Sequence, residues 1–142
     1  MLRFLITDDD DVTHAFMRHI LLNLGDVTHA FSGYEAVDAC ARAVAEGRTF
    51  DCVFMDILMP GMDGWKTLEA IASVHGEAQA PRPKVVVATC LPPEECREAS
   101  EIASEADGYV HKPFDRRTVL AVLAGLGFTQ PPAKEKDEDF FW

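Results

Sequence analysis

The chain has 142 residues, 48% of them hydrophobic, and a formal charge of −11 at pH 7. That length suits one domain with a proper core, and no apolar run approaches the roughly 20 residues that span a bilayer. Phosphate contacts need Lys and Arg, so the acid excess argues against nucleic-acid binding. Met1-Leu2-Arg3-Phe4 runs straight into a strand-like segment and does not read as a signal peptide, so a cytoplasmic location is expected. The four cysteines, Cys40, Cys52, Cys90 and Cys96, form no C-x-x-C pair, which speaks against a zinc site. Cys52 lies in an apolar run and reads as core packing.

In chain order, a β-like run at residues 4–7 leads into a helical pattern where Val12, Phe16, Ile20 and Leu24 recur every fourth residue. A second run, 27–31, precedes Val37, Cys40, Ala41 and Val44 at i, i+3, i+4 and i+7. A third, 52–55, precedes Trp65, Leu68 and Ala72 on one helical face. A fourth, 85–89, precedes Cys96, Ala99, Ala103 and Ala106, and a fifth, 109–111, precedes Val119, Val122, Leu123 and Leu126. Breakers fall between these runs: Gly25, Gly33, Gly47, Pro60-Gly61, Pro81 and Pro83, Pro92-Pro93, Gly108 and Pro113. Five strands alternating with five helices predict an α/β fold, a doubly wound parallel sheet with helices on both faces. Its crossovers should be right-handed.

After Gly127 the pattern stops. Residues 128–142 hold two prolines, a mixed charge run at 134–139 and a terminal Phe140-Phe141-Trp142. The expected organisation is a domain at 1–127 and a flexible acidic and aromatic tail at 128–142. The tail is too short for a helix-turn-helix, so no DNA-binding output is expected in this chain. It reads either as a disordered terminus or as a docking peptide whose aromatics anchor a partner or a second copy.

In a parallel sheet the carboxyl ends of the strands share one edge, and open α/β sheets bind ligands there. The first run ends in Asp8-Asp9-Asp10-Asp11, the third in Asp56 and the fourth in Thr89, while Lys112-Pro113 follows the fifth. Asp10 or Asp11 suits the N-cap of the first helix. That leaves Asp8, Asp9 and Asp56 as clustered carboxylates. Acids this close repel, and some would protonate unless a cation joined them. Together they make a hard-oxygen site suited to Mg²⁺. Thr89 adds a hydroxyl and Lys112 an ammonium. The histidines, His14, His19, His29, His75 and His111, are scattered without metal-ligand spacing and receive no role.

This pattern resembles the receiver domain of bacterial two-component response regulators, and is similar to the single-domain chemotaxis regulators. The resemblance covers residues 2 to about 127. It rests on Asp8-Asp9 after Phe4-Leu5-Ile6-Thr7, and on Asp56 within Met55-Asp56-Ile57-Leu58-Met59-Pro60-Gly61-Met62-Asp63-Gly64. It continues with Thr89, with Tyr109 three residues before the lysine, and with Lys112-Pro113-Phe114. It implies a flavodoxin-like sheet of order 2-1-3-4-5 and a cis Lys112–Pro113 bond. It implies that Asp56 is the phospho-acceptor. Mg²⁺ would be bound directly by Asp9, Asp56 and the Leu58 backbone carbonyl, and mainly through water by Asp8. Lys112 and Thr89 would hold phosphoryl oxygens. The donor would be a phosphohistidine on a sensor histidine kinase or histidine phosphotransfer protein, and a metal-activated water would later hydrolyse the acyl phosphate. Thr89 and Tyr109 would switch the face formed by the fourth helix, fifth strand and fifth helix toward a downstream protein target. Beyond Mg²⁺-dependent self-phosphorylation and autodephosphorylation, no enzyme activity is implied. Neither nucleic acid nor membrane is expected as a partner, and homodimerisation is left open.

Some positions depart from the family pattern. Cys90 follows Thr89 where a small residue such as Ala is usual, and Leu58 and Leu91 flank the site where many members carry polar groups. Pro92-Pro93 would start the fourth helix firmly. Two rival readings share part of the chemistry. Asp8-x-Asp10-x-Val12 also fits the D-x-D-x-[T/V] signature of haloacid-dehalogenase-type phosphatases, with Asp8 as nucleophile and Asp56 unexplained. A degenerate receiver acting as a constitutive binding module would not need the intact set of acids, Thr89 and Lys112.

Overall fold

The computed structural model describes residues 1–92, 94–95 and 106–131. The elements run β1 (Leu2–Thr7), α1 (Asp11–Leu21), β2 (Gly25–Ala30), α2 (Gly33–Ala45), β3 (Cys52–Met55), α3 (Gly64–Ala78), β4 (Lys84–Thr89), β5 (Gly108–His111) and α4 (Arg116–Gly125). The helical pattern expected from Cys96 to Ala106 lies outside the described residues except for Ala106, as does the tail from residue 132. The described residues therefore contain four of the five expected helices, and α4 is the fifth helical pattern of the sequence.

The five strands form one sheet of order β2-β1-β3-β4-β5, and every pairing is parallel. This is the expected order. The chain winds outward from β1 to β2 in one direction and from β3 to β5 in the other, so the switch point lies between β1 and β3. The three central strands, β1, β3 and β4, each carry four consecutive buried residues, as a sheet covered on both faces requires. Leu5, Val53, Met55 and Val87 face α2 and α3, with Trp65, Leu68 and Ile71 packed over them. Phe4, Ile6, Phe54, Val86 and Val110 face α1 and α4, meeting Met17, Ile20, Val119 and Leu123.

Each described helix starts on a side chain that accepts a backbone N–H of its first turn: Asp10 from Val12, Ser32 from Glu35, Asp63 from Lys66 and Asp115 from Thr118. Each such cap contributes about 1 kcal/mol. The buried face of α1 differs from the expected one. Val12 is 73% and Phe16 39% exposed, whereas His14, Met17, Ile20 and Leu21 are buried. Residues four apart drift around a helix by about 40° per step, so a strict four-residue repeat leaves any one face. Positions 14, 17 and 21 keep to it. In α2 the buried line is likewise rotated, to Gly33, Ala36, Cys40 and Ala43, with Ala41 exposed. Gly25 opens β2, opposite Leu2, rather than breaking the chain before it, and a Cβ there would come within 2.2 Å of the Leu2 carbonyl oxygen. The Lys112–Pro113 peptide is cis. Of the cysteines in the described residues, Cys40 and Cys52 are buried, Cys90 is exposed, and all three are free thiols.

Candidate functional site

Thr7 on β1 lies opposite Met55 on β3, so Asp8 and Asp56 leave neighbouring strands at one level. Backbone bonds hold both: Asp56 N–H donates to the Thr7 carbonyl at 2.9 Å, and Asp8 N–H to the Ala30 carbonyl at 3.1 Å. Asp8 is 2% and Asp56 5% exposed, while Asp9 stands at the rim, exposed. Carboxylate oxygens of Asp8, Asp9 and Asp56 lie within 4.8 Å of one another. Lys112, delivered from the end of β5, places Nζ 2.6 Å from Asp8 Oδ2 and 3.4 Å from Asp56 Oδ2. The other oxygens accept backbone N–H groups, Asp8 Oδ1 from Asp10 at 2.9 Å and Asp56 Oδ1 from Leu58 at 3.2 Å.

Three carboxylates and one ammonium leave this corner with an excess of two negative charges. Burial, aided by the nearby Asp8, pushes Asp56 above the ordinary carboxylate range, and the opposing pull of Lys112 and the Leu58 N–H does not overcome it. Burial also works against the charge on Lys112, but Asp8 and Asp56 together outweigh it and hold the ammonium above the ordinary lysine range. A divalent hard cation fits what is left: it would balance the excess and meet only oxygen ligands. Asp8, Asp9 and Asp56 are the side chains that could hold it.

The loop after Asp56 is built to pass close beneath the site. Gly61 turns with φ +80°, a left-handed conformation that suits glycine. Gly64 then brings the start of α3 against the loop, its N–H donating to the Ile57 carbonyl at 2.9 Å. A Cβ on Gly64 would sit 2.4 Å from the Asp56 carbonyl oxygen and 2.7 Å from Ile57 Cα. The close approach of α3 thus depends on the missing side chain.

Thr89 ends β4, 1% exposed, and its hydroxyl accepts the Leu91 N–H at 3.3 Å. Leu91 is half-buried, Cys90 exposed, and Leu58 50% exposed. Tyr109 is half-buried and packs against the α2–α3 side of the core, opposite Val87 in the β4–β5 register. His111 is exposed and its Nε2 meets the Cys90 carbonyl at 3.1 Å. Asp10 caps α1, one of the two expected capping residues.

One polar residue beside the site escaped the sequence reading. His14 is 3% exposed. Its Nε2 lies 2.8 Å from the backbone carbonyl oxygen of Asp8, and its Nδ1 2.6 Å from Nδ1 of His29 on β2. Phe31 stacks on it with ring centroids 4.0 Å apart. The spacing of His14 with Met17 and Leu21 was the signal that placed it on the buried face of α1.

Three comparisons bear on this arrangement. The family model for the response regulator receiver domain matches residues 4–124. The chemotaxis protein CheY of Treponema pallidum is 32% identical over 124 residues, covering 87% of this chain and 81% of that protein. The sensor protein GacS of Pseudomonas syringae is 31% identical over 141 residues, 96% of this chain, but the match spans only 15% of that protein's length. Among solved structures, CheY4 of Vibrio cholerae is similar with a TM-score of 0.71 at 25% identity, over 88% of this chain and 98% of that one. The receiver domain of the histidine kinase CKI1 from Arabidopsis thaliana, complexed with Mg²⁺ and BeF₃⁻, shares the fold with a TM-score of 0.74 at 22% identity, over 90% and 91% of the two chains.

Proposed function

Because the chain belongs to the response regulator receiver domain family of two-component signalling, we propose that it takes a phosphoryl group from a phosphohistidine onto Asp56. The observation that carries this reading is the bridging lysine: Lys112 Nζ spans Asp8 and Asp56 at 2.6 and 3.4 Å within a cluster that still carries excess negative charge. Asp8, Asp9, Asp56 and the Leu58 carbonyl would hold Mg²⁺, which when bound would neutralise charge on the moving phosphoryl oxygens. An Asp56 oxygen attacks phosphorus in line with the leaving group. The P–N bond breaks and its electron pair stays on the donor imidazole. Lys112 meets one phosphoryl oxygen and the Thr89 hydroxyl another, so the reaction rests on positioning and charge rather than on proton transfer by this chain.

In this reading residues 1–127 form the receiver unit and 128–142 a tail. The donor is a sensor histidine kinase or a histidine phosphotransfer protein, and the setting is the cytoplasm; no helix of the described residues is long and apolar enough to cross a membrane. Movement of Thr89 toward the phosphoryl group, with a change at Tyr109, would alter the face around β5 that a downstream protein reads. A coupling of about 1–3 kcal/mol suffices for such a bias.

Incubation with Mg²⁺ and a small phosphodonor, followed by peptide mass spectrometry, tests the reading. A base-labile adduct on Asp56 is expected. An adduct on Asp8 would favour the phosphatase chemistry instead, although Asp10, the acid that signature needs, already caps α1. No adduct would leave a binding module.

A further inference from the structure

We propose that His14 is a positioning residue for the Asp8–Asp9 turn, held in a single tautomer by His29. The proposal rests on the reading of Asp8 and Asp9 as the Mg²⁺-binding acids. A carbonyl oxygen only accepts, so the 2.8 Å contact to Asp8 assigns the proton to His14 Nε2. In the neutral ring, Nδ1 is then a lone pair, and the 2.6 Å contact requires His29 to donate from its own Nδ1. Both polar atoms of a ring that is 3% exposed are thereby used. The stacked Phe31 ring closes one side of the imidazole.

The carbonyl that His14 grips belongs to the peptide joining Asp8 to Asp9. Its orientation sets the directions in which the two carboxylates leave the chain. The Asp8 N–H is fixed by the Ala30 carbonyl of β2, and the Asp8 side chain by Lys112 and the Asp10 N–H. His14 supplies the remaining anchor. A continuous polar path results, from His29 on the edge strand through His14 and Asp8 to Lys112 and Asp56. Burial, with the neighbouring His14 and Arg18, holds the His29 pKa below that of an ordinary imidazole.

Two measurements decide the matter. Long-range ¹H–¹⁵N NMR of the imidazole rings in the Mg²⁺-free protein should show the Nε2–H form for His14 and the less common Nδ1–H form for His29. A His14 ring carrying its proton on Nδ1, or a mixture of both forms, overturns the proposal. Calorimetric Mg²⁺ titration then reads the consequence. His14→Leu, which fills the space without a donor, should weaken Mg²⁺ binding about fivefold to tenfold, the loss expected for one buried hydrogen bond. His14→Gln, whose amide N–H can reach the same carbonyl, should restore most of it. Affinity of His14→Leu within twofold of wild type, or no recovery in His14→Gln at an equal melting temperature, overturns the proposal. If the wild type itself does not bind Mg²⁺, the functional reading fails, and the NMR result still decides the tautomer and the grip on Asp8.

Discussion

Two buried polar clusters flank the turn that carries Asp8 and Asp9, and they are built on opposite electrostatic terms. On one side Asp8, Asp56 and Lys112 are charged, with more acid than base. On the other, His14 and His29 pair ring to ring, and the chain of contacts ends on a backbone carbonyl. The charged side holds an excess of negative charge that a cation could relieve. The histidine side holds geometry through its grip on the Asp8 carbonyl. The contrast suggests how a reactive corner can store charge while its backbone stays put.

Lys112→Met should have the largest effect on stability, because it leaves two buried carboxylates facing each other. A loss of about 3 kcal/mol is expected in urea unfolding without Mg²⁺. Gly64→Ala attacks the support rather than the charges. The added methyl meets the Asp56 carbonyl at 2.4 Å, and a loss of about 2 kcal/mol should appear in thermal unfolding.

Asp56→Asn should go the other way and stabilise the Mg²⁺-free protein at pH 7, by less than Gly64→Ala destabilises it. The sign follows from Asp56 being raised above its ordinary value of 3.8 by burial. The folded state binds this proton more tightly than the unfolded chain does. The group therefore contributes stability that is fully present below pH 3.8 and is lost as pH rises through the raised folded value. The advantage of Asp56→Asn should grow across that window and then level off. Mg²⁺ should reverse the ranking by stabilising the wild type more than Asp56→Asn, which keeps Asp8 and Asp9 but has lost one carboxylate ligand. The smallest change is expected for His29→Leu, about 1 kcal/mol from one unpaired buried nitrogen on His14, measured by urea unfolding.

The parallel sheet and the four strand ends were legible because the residues that mark them are costly elsewhere, whereas the strand order came only with the family resemblance. Acids after apolar runs and a Lys-Pro after the last strand seldom occur for packing alone. The buried face of α1 was not legible by hydropathy. Val12 and Phe16 look like core and are exposed, whereas His14 looks like surface and is buried. Its burial depends on His29, 15 residues away on another strand, a partner that no local period reveals. The role of Gly64 was hidden for a similar reason. Its motif was visible, but the backbone it must approach belongs to Asp56 and Ile57, and that contact exists only once α3 has folded back over the loop.

The central claim is that the charged corner is a Mg²⁺-dependent acceptor centred on Asp56. Intact-protein mass measured after exposure to a small phosphodonor, with Mg²⁺ and with a chelator, tests it most directly. The account predicts a single phosphoryl addition to the wild type in Mg²⁺, none with chelator, and none in Asp56→Asn under either condition. Addition of equal extent to Asp56→Asn, or to the wild type in chelator, would contradict it.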